Sequence, residues 1–522
     1  MSKESTLSKS LFRSTAVVGQ MTLVSRVFGF VRDIVIARLF GTSVAADAFF
    51  VAFRIPSLFR RLFAEGAFAQ AFVPVLTEVK VSEDEDQVID LVGATAGALA
   101  LILAFVVAIG VLAAPWFIAA FAPGFIDDSE QWELATLLLR ITFPYLLFIS
   151  ITALFGSLLN TYGRFSIPAL TPALLNIALI GCALYLAPHL DQPVIALAIG
   201  VFIGGIAQFL VQFAAVLRLG VLQRVRINFN HPGVRKILRL MGPALFGVSV
   251  AQINLLIDTV IASLLETGSI SWLYYSDRLM EFPLGVFGIA LATVVLPNLS
   301  RQHASGDENG YSDTLDWALR LTLLIALPAA LGLALLAQPM LSTLFQYQAF
   351  DDRDVVMAGR SLMAYSTGLT AFILVKILAP GFYAKQDMRT PVRIGIIALC
   401  SNVVLNIILV FPLAHAGLAL ATSLAAFINA ALLLKALRNH GFYKPSAGWI
   451  VYFVKLVAAC IIMSIVMMSL SSEQSIWSAA DVVTRARMLG VLIIAGGAAY
   501  FVSVFAFGIR FHHFSGHSSA SQ

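Results

Sequence analysis

Long apolar runs, broken by short polar segments, fill this chain from residue 14 onward. Taken between the polar breaks, they fall near residues 14–40, 46–78, 88–120, 133–159, 168–188, 193–217 and 236–264. They continue near 271–300, 312–336, 355–383, 392–411, 414–437, 449–470 and 486–509. Crossing roughly 30 Å of hydrocarbon takes about 20 helical residues, and each run reaches that length. The pattern predicts an all-α polytopic membrane protein with about 14 transmembrane helices. An even number of spans puts both termini on one side.

Charge in the loops sets the side. Nineteen Lys and Arg residues fall on the N-terminal side, among them Lys80, Arg164, Arg224, Arg301, Lys385 and Lys444. The opposite side holds about three: Arg353, Arg485 and Arg487. Positive loops stay inside, so both termini are expected in the cytoplasm. Composition agrees with a membrane chain: 59% of residues are hydrophobic, 12% are charged, and the mean hydropathy is +0.89. Soluble domains carry about 25% charged residues, so a soluble enzyme, a disordered chain and a secreted disulfide scaffold are excluded. Cys182, Cys400 and Cys460 stand far apart with no CxxC pair, and the histidines have no ligand spacing. The net charge of +5 is what inside loops require and does not point to nucleic acid. The apolar stretch after Arg13 has no small-residue cleavage site and reads as a first span, not a signal peptide.

The chain resembles itself at a separation of about 223 residues. DIVIARLF (33–40) reads against DTVIASLL (258–265), Pro74 against Pro297, and Pro168 against Pro391. Arg140 and Tyr145 pair with Arg360 and Tyr365. Each unit holds six spans, so the halves insert in the same orientation, as in parallel-repeat transporters. The expected organisation is an N-terminal lobe (1–220), a C-terminal lobe (221–445), and a remainder (446–522) with spans 13 and 14 and a tail. Two lobes around a central cavity is a transporter's architecture.

Charges lie where lipid is expected. Arg26, Arg32, Arg38, Arg54, Arg60 and Arg61 outnumber Asp33, Asp47 and Glu65 between residues 26 and 65. A charge in the bilayer is costly, so such residues face partners or a water-filled cavity. Snorkelling from helix ends suits Arg38 and Asp47 but not Arg26, Arg60 and Arg61, which lie more than two turns inside. Asp47, Arg54 and Arg61 recur every seven residues and share one helix face, with Glu65 one turn on. In span 8, Tyr274, Asp277, Arg278 and Glu281 form a polar stripe; the acids there either neutralise Arg278 or line the cavity with it. The arginine fork stays charged and makes paired hydrogen bonds to phosphate, so an arginine-rich cavity points to an anionic, phosphate-bearing substrate. Asp258, Asn402 and Asn406 are candidates for a coupling ion, or for hydrogen bonds between helices. No Walker loop, HExxH motif or nucleophile elbow is present, so movement of a substrate is expected, without enzymatic chemistry or cofactor.

The strings SRVFGFVRD (25–33), ADAFFVAFR (46–54), LFRRLFAEGAF (58–68), YYSDRLMEFP (274–283) and APGFYAKQD (379–387) resemble the MurJ (MviN) family. This is a family of bacterial lipid II flippases within the multidrug/oligosaccharidyl-lipid/polysaccharide exporter superfamily. The resemblance covers essentially the whole chain. It implies a 14-helix, two-lobed protein of the bacterial inner membrane that carries undecaprenyl-diphosphate-linked disaccharide-peptide outward by alternating access, for peptidoglycan synthesis. It places substrate-binding arginines at Arg26, Arg32, Arg60 and Arg278. Supporting cavity positions are Asp47, Glu65, Ser271, Asp277 and Glu281, with Arg54 standing where the family commonly has Lys and Arg61 beside them. It also implies a lipid-tail groove on spans 13 and 14. Coupling stays open between membrane potential, sodium and protons. The implied partners are lipid II, membrane lipid and cell-wall synthesis proteins. A flippase for another polyprenyl-diphosphate glycan, or a non-transporting scaffold of the cell-wall machinery, are the alternatives; the positive cavity disfavours a cation-exporting drug pump.

Overall fold

A computed structural model describes residues 2–62, 68–82, 84–222 and 225–510. Every regular element among them is helical. The chain packs as two units, Met1–Ile270 and Ser271–Gln522.

The first unit holds α1 (Ser2–Phe40), α2 (Val44–Arg60), α3 (Ala69–Ser82), α4 (Glu85–Leu112), α5 (Ala114–Phe121), α6 (Ser129–Thr142), α7 (Tyr145–Thr161), α8 (Ser166–Gly181), α9 (Ile195–Leu219) and α10 (Pro232–Ser263). Helix α1 lies along α8, α8 and α7 along α9, and α2 along α6, while α10 lies on α3 and α4. By packing, α10 therefore counts with the first unit, whereas the sequence repeat assigns it to the second half. The α1–α2 connection is tight: Gly41 takes φ 58°, and Ser43 caps α2 by accepting from Ala46 N–H at 3.3 Å.

The second unit holds α11 (Ser269–Pro283), whose first residues fall at the division, then α12 (Ile289–Ala304), α13 (Glu308–Leu335), α14 (Ala337–Leu344), α15 (Asp352–Tyr383), α16 (Arg389–Asn439), α17 (Trp449–Leu470), α18 (Gln474–Ala479) and α19 (Val482–Ala506). A core of Leu324, Leu456, Met463, Trp477, Leu492 and Tyr500 joins α13 to α17 and α19. The outward faces of α17 and α19 are apolar, with Ile450 82% and Ile494 73% exposed, as suits lipid contact.

Ten described helices are long and apolar enough to cross a membrane. One of them, α16, carries two expected spans, 392–411 and 414–437. Ala414 breaks its helical geometry (φ 48°, ψ −131°) two residues after Pro412, which removes a backbone donor and bends the helix. The expected spans outside these ten, 14–40, 46–78 and 236–264, lie on α1, α2–α3 and α10. Helices α2 and α3 are 17 and 14 residues long, the apolar part of α10 among the described residues is the shorter Gln252–Ser263, and α1 carries Arg26, Arg32, Asp33 and Arg38.

The internal repeat is visible in the helix boundaries. Glu85–Leu112 and Glu308–Leu335 begin and end 223 residues apart, as do Ala114–Phe121 and Ala337–Leu344. The starts of α6 and α15, and of α8 and α16, keep the same separation. The caps repeat too: Asp128 accepts from Gln131 N–H at 3.1 Å, and Asp351 from Asp354 N–H at 2.9 Å.

Candidate functional site

In the first unit, the stripe expected on α2 is present and its partner is α10. Arg54 Nη1 donates to Thr259 Oγ1 at 2.6 Å, and Arg61 Nη1 to Gln252 Oε1 at 3.4 Å. The two donors are seven residues apart, and so are the two acceptors, in reverse order: the helices run antiparallel in register. Asp47, one heptad earlier and 2% exposed, accepts from Gly268 N–H at 2.7 Å just beyond α10. One face of α2 thus grips α10. Asp258, next to Thr259, is half-buried on α10.

The arginines of α1 divide into two kinds. Arg32 is 9% exposed and its fork is engaged: Nε and Nη2 donate to Asp33 Oδ1 at 3.0 and 2.7 Å, and Nη1 to Asn176 Oδ1 at 3.0 Å. Asn176 in turn donates to the Ser25 carbonyl at 3.3 Å. This cluster seats α1 on α8. Arg26, nearly two turns earlier, is exposed, and its guanidinium makes no hydrogen bond or ion pair among the described residues. Arg60 is half-buried at the end of α2. Glu65 lies outside the described residues.

In the second unit, α11 has two faces. Trp272 donates to Asp354 Oδ1 at 2.9 Å and Ser276 to the Ala358 carbonyl at 2.7 Å, both on α15; Ser271, Tyr275 and Leu279 are buried as well. The stripe of Tyr274, Asp277, Arg278 and Glu281 occupies the other face, half-buried to exposed. Arg278 pairs with Glu281 at 2.7 Å, with side chains 34% and 46% exposed, and lies over the Tyr274 ring at 5.0 Å. Glu281 therefore does neutralise Arg278, in a position open enough for a ligand to compete. Asn402 and Asn406 are fully buried; Asn406 donates to Asn402 at 2.9 Å, and Asn402 to Thr422 at 3.2 Å. They link the two limbs of α16 across the Ala414 break.

Two buried charged clusters were not expected from the sequence, which counts Arg485 as a loop charge whereas it lies buried within α19. Asp316 on α13, 5% exposed, accepts from Arg320, Tyr443, Trp449 and Ser446. Arg485 on α19, also 5% exposed, donates to the carbonyls of Trp477, Ser342 and Gln346 at 2.8 Å and of Ser478 at 2.9 Å. An acid with an arginine four residues on, in an apolar helix, was the available signal for the first. Arg485 had none, because its partners are backbone carbonyls.

Residues 36–487 match the family described as Lipid II flippase MurJ. The chain is 48% identical over 514 residues to a probable lipid II flippase MurJ from Vibrio cholerae, covering 97% of this chain and 98% of that protein. It is 44% identical over 511 residues to a lipid II flippase MurJ from Burkholderia cenocepacia, covering 97% and 99%. Among solved structures, a lipid II flippase MurJ in an inward closed conformation aligns with a TM-score of 0.80 at 27% identity, over 95% of this chain and 99% of that one. An inward-facing multidrug MATE transporter aligns with a TM-score of 0.67 at 14% identity, over 82% and 98%, and shares the fold.

Proposed function

Because the chain belongs to the MurJ family of lipid II flippases, transporters and not enzymes, we propose that it moves undecaprenyl-diphosphate-linked disaccharide-peptide outward across the bacterial inner membrane by alternating access, with arginines of both halves as diphosphate ligands. It is a multi-pass membrane protein. The reading takes in 14 spans, lobes at 1–220 and 221–445 with 446–522 appended, and both termini in the cytoplasm.

The observation that carries the reading is the contrast among the arginines. Arg26 is exposed with no partner among the described residues, and Arg278 pairs with the half-exposed Glu281 carboxylate. A diphosphate can take Arg26 outright and exchange with Glu281 at Arg278, since a planar fork favours phosphate oxygens. Arg60 is assigned to the same ligand set. Arg32, committed to Asp33 and Asn176, acts by seating α1. Opening on the outer side requires the α2–α10 stripe to part, so Asp47, Arg54 and Arg61 serve as a reversible latch, with Ser271 and Asp277 supporting α11. An inside-negative potential favours outward passage of an anionic headgroup by about 2.3 kcal/mol per charge per 100 mV. Asp258, Asn402 and Asn406 are assigned to a coupling cation, sodium or proton.

Arg26→Ala and Arg278→Ala, each as sole copy at wild-type membrane level, are expected to abolish growth; Lys at either position restores it partly, because a point charge lacks the fork. Normal growth of either Ala variant would refute the diphosphate assignment.

A further inference from the structure

Within the first unit, α4 and α10 are pinned together at the end that loop charge assigns to the cytoplasm. Arg226 N–H, just before α10, donates to the Gly93 carbonyl at 3.2 Å, and Val234 packs against Ala94 and Ala98. Beyond that contact the two helices leave an apolar cavity of about 210 Å³ between them. Thr95 and Val106 mark the two ends of the lining stripe on α4, and Val234 and Leu245 those on α10. Each stripe follows one helix face over about 16 Å. On one edge of the cavity Leu238 and Gly242 are exposed, so it is open on that side. A Cβ on Gly242 would meet nothing within 4 Å.

Apolar crevices between helices are commonplace; Thr95 is not. It is the one polar side chain in this lining, it is 3% exposed, and its hydroxyl has no hydrogen-bond partner among the described residues. Thr152, Thr171, Thr259 and Thr322 each donate to the carbonyl four residues back; Thr95 does not. Buried polar groups nearly always find a partner, and an oxygen brought in by a ligand would supply one. Positive charge stands at the open edge. By helical spacing Arg235 and Arg239 adjoin Leu238 and Gly242. Arg239 is exposed and makes no hydrogen bond or ion pair among the described residues. Arg235, exposed too, donates to the neutral Asn230 at 2.7 Å.

We propose that this cavity holds one acyl chain of an anionic glycerophospholipid. The chain lies between the two stripes, an ester carbonyl accepts from the Thr95 hydroxyl, and the phosphate rests on Arg239 and Arg235. A chain gains little by leaving the bilayer for an equally apolar cavity, so the polar groups, and not the chain, select the lipid. Their depths match it. Thr95 lies beside Ala94 and Ala98, which meet Val234, and Arg235 follows Val234. Hydroxyl and guanidinium therefore stand at neighbouring levels, as ester and phosphate do in a phospholipid. Basic side chains at a membrane surface attract anionic headgroups. The bound lipid joins α4 to α10, so a movement that separates these helices weakens its binding by the same factor that the lipid opposes the movement.

The test is native mass spectrometry of the full-length protein in detergent, titrated with dioleoyl-phosphatidylglycerol or dioleoyl-phosphatidylcholine. Phosphatidylglycerol is expected to fill one site first, about fivefold ahead of phosphatidylcholine. Gly242→Phe puts a ring into the open space and should remove that site. Thr95→Val keeps the shape and should weaken it roughly threefold to tenfold. Its lipid-free melting temperature should not fall, since the hydroxyl it loses had no partner. Arg239→Gln, at an exposed position, should fold as wild type and lose the headgroup preference. Wild-type binding by Gly242→Phe or Thr95→Val, or equal affinity for the two headgroups, would overturn the proposal. Displacement of the phospholipid by undecaprenyl phosphate at lower concentration would overturn it too, and would give the cavity to an isoprenoid chain. Neither lipid II nor transport enters the measurement, so its failure leaves the flippase reading standing on its own test.

Discussion

The α2 stripe and the Arg485 cluster both bury arginine in an apolar protein, yet they spend it differently. On α2, Arg54 and Arg61 donate to neutral side chains on α10, at 2.6 and 3.4 Å. Arg485 makes four, all to backbone carbonyls, and ties α19 to α14 and α18. Contacts to neutral side chains can exchange partners as a helix moves; a fork bound to four carbonyls cannot without stranding several of them. A charge within a membrane segment is thus a functional signal only while its hydrogen-bonding capacity is unspent. Arg26 meets that condition, and Arg278 can exchange its half-exposed partner Glu281, whereas Arg32 and Arg485 are committed.

The sharpest way to break this comparison is Arg485→Ala. Four buried carbonyls lose their donor, at roughly 1–3 kcal/mol for each group left unsatisfied, so little folded protein should survive. Membrane level and melting temperature in detergent measure this; a well-folded Arg485→Ala protein that fails only in transport would reverse the assignment. Asp316→Asn should be milder. It removes one charge from a carboxylate that accepts from Arg320 at 2.8 Å and Trp449 at 2.6 Å, a loss of about 1.5–3 kcal/mol, with transport per folded molecule unchanged.

A double-mutant cycle of Arg54→Gln and Thr259→Ala probes the stripe itself. A coupling of about 0.5–1.5 kcal/mol in thermal stability is expected for one hydrogen bond, and zero coupling would show that the α2–α10 contact carries no energy. The smallest effect concerns Asp387, whose carboxylate is held below its ordinary range by the Thr390 hydroxyl and backbone N–H. A depressed pKa means stability present at neutral pH and lost as pH falls through the folded-state value. The melting difference between wild type and Asp387→Ala should therefore shrink in acid.

Hydropathy made the spanning helices legible, and the ends of α4 and α13 keep the 223-residue separation of the repeat, although the apolar runs lie at 88–120 and 312–336. Periodicity also placed Asp47, Arg54 and Arg61 on one face. It could not say what that face met, because Thr259 and Gln252 are ordinary polar residues about 200 positions away. Short helices at 114–121 and 337–344 were hidden inside or beside apolar runs, since a run of hydrophobic residues does not show where a helix turns. Spans 11 and 12 read as separate, and they are two helices that meet at the kink at Ala414 within α16. Arg32 looked like Arg26 in sequence; only Asn176, 144 residues on, tells them apart.

The most direct measurement is lipid II exposure at the outer leaflet, read with a membrane-impermeant reagent, in cells rapidly depleted of this protein and resupplied with wild type, Arg278→Ala or Arg32→Lys. The account predicts loss on depletion, full rescue by wild type, none by a well-expressed Arg278→Ala, and exposure in proportion to protein level for Arg32→Lys. Unchanged exposure on depletion, or full rescue by Arg278→Ala, would contradict it.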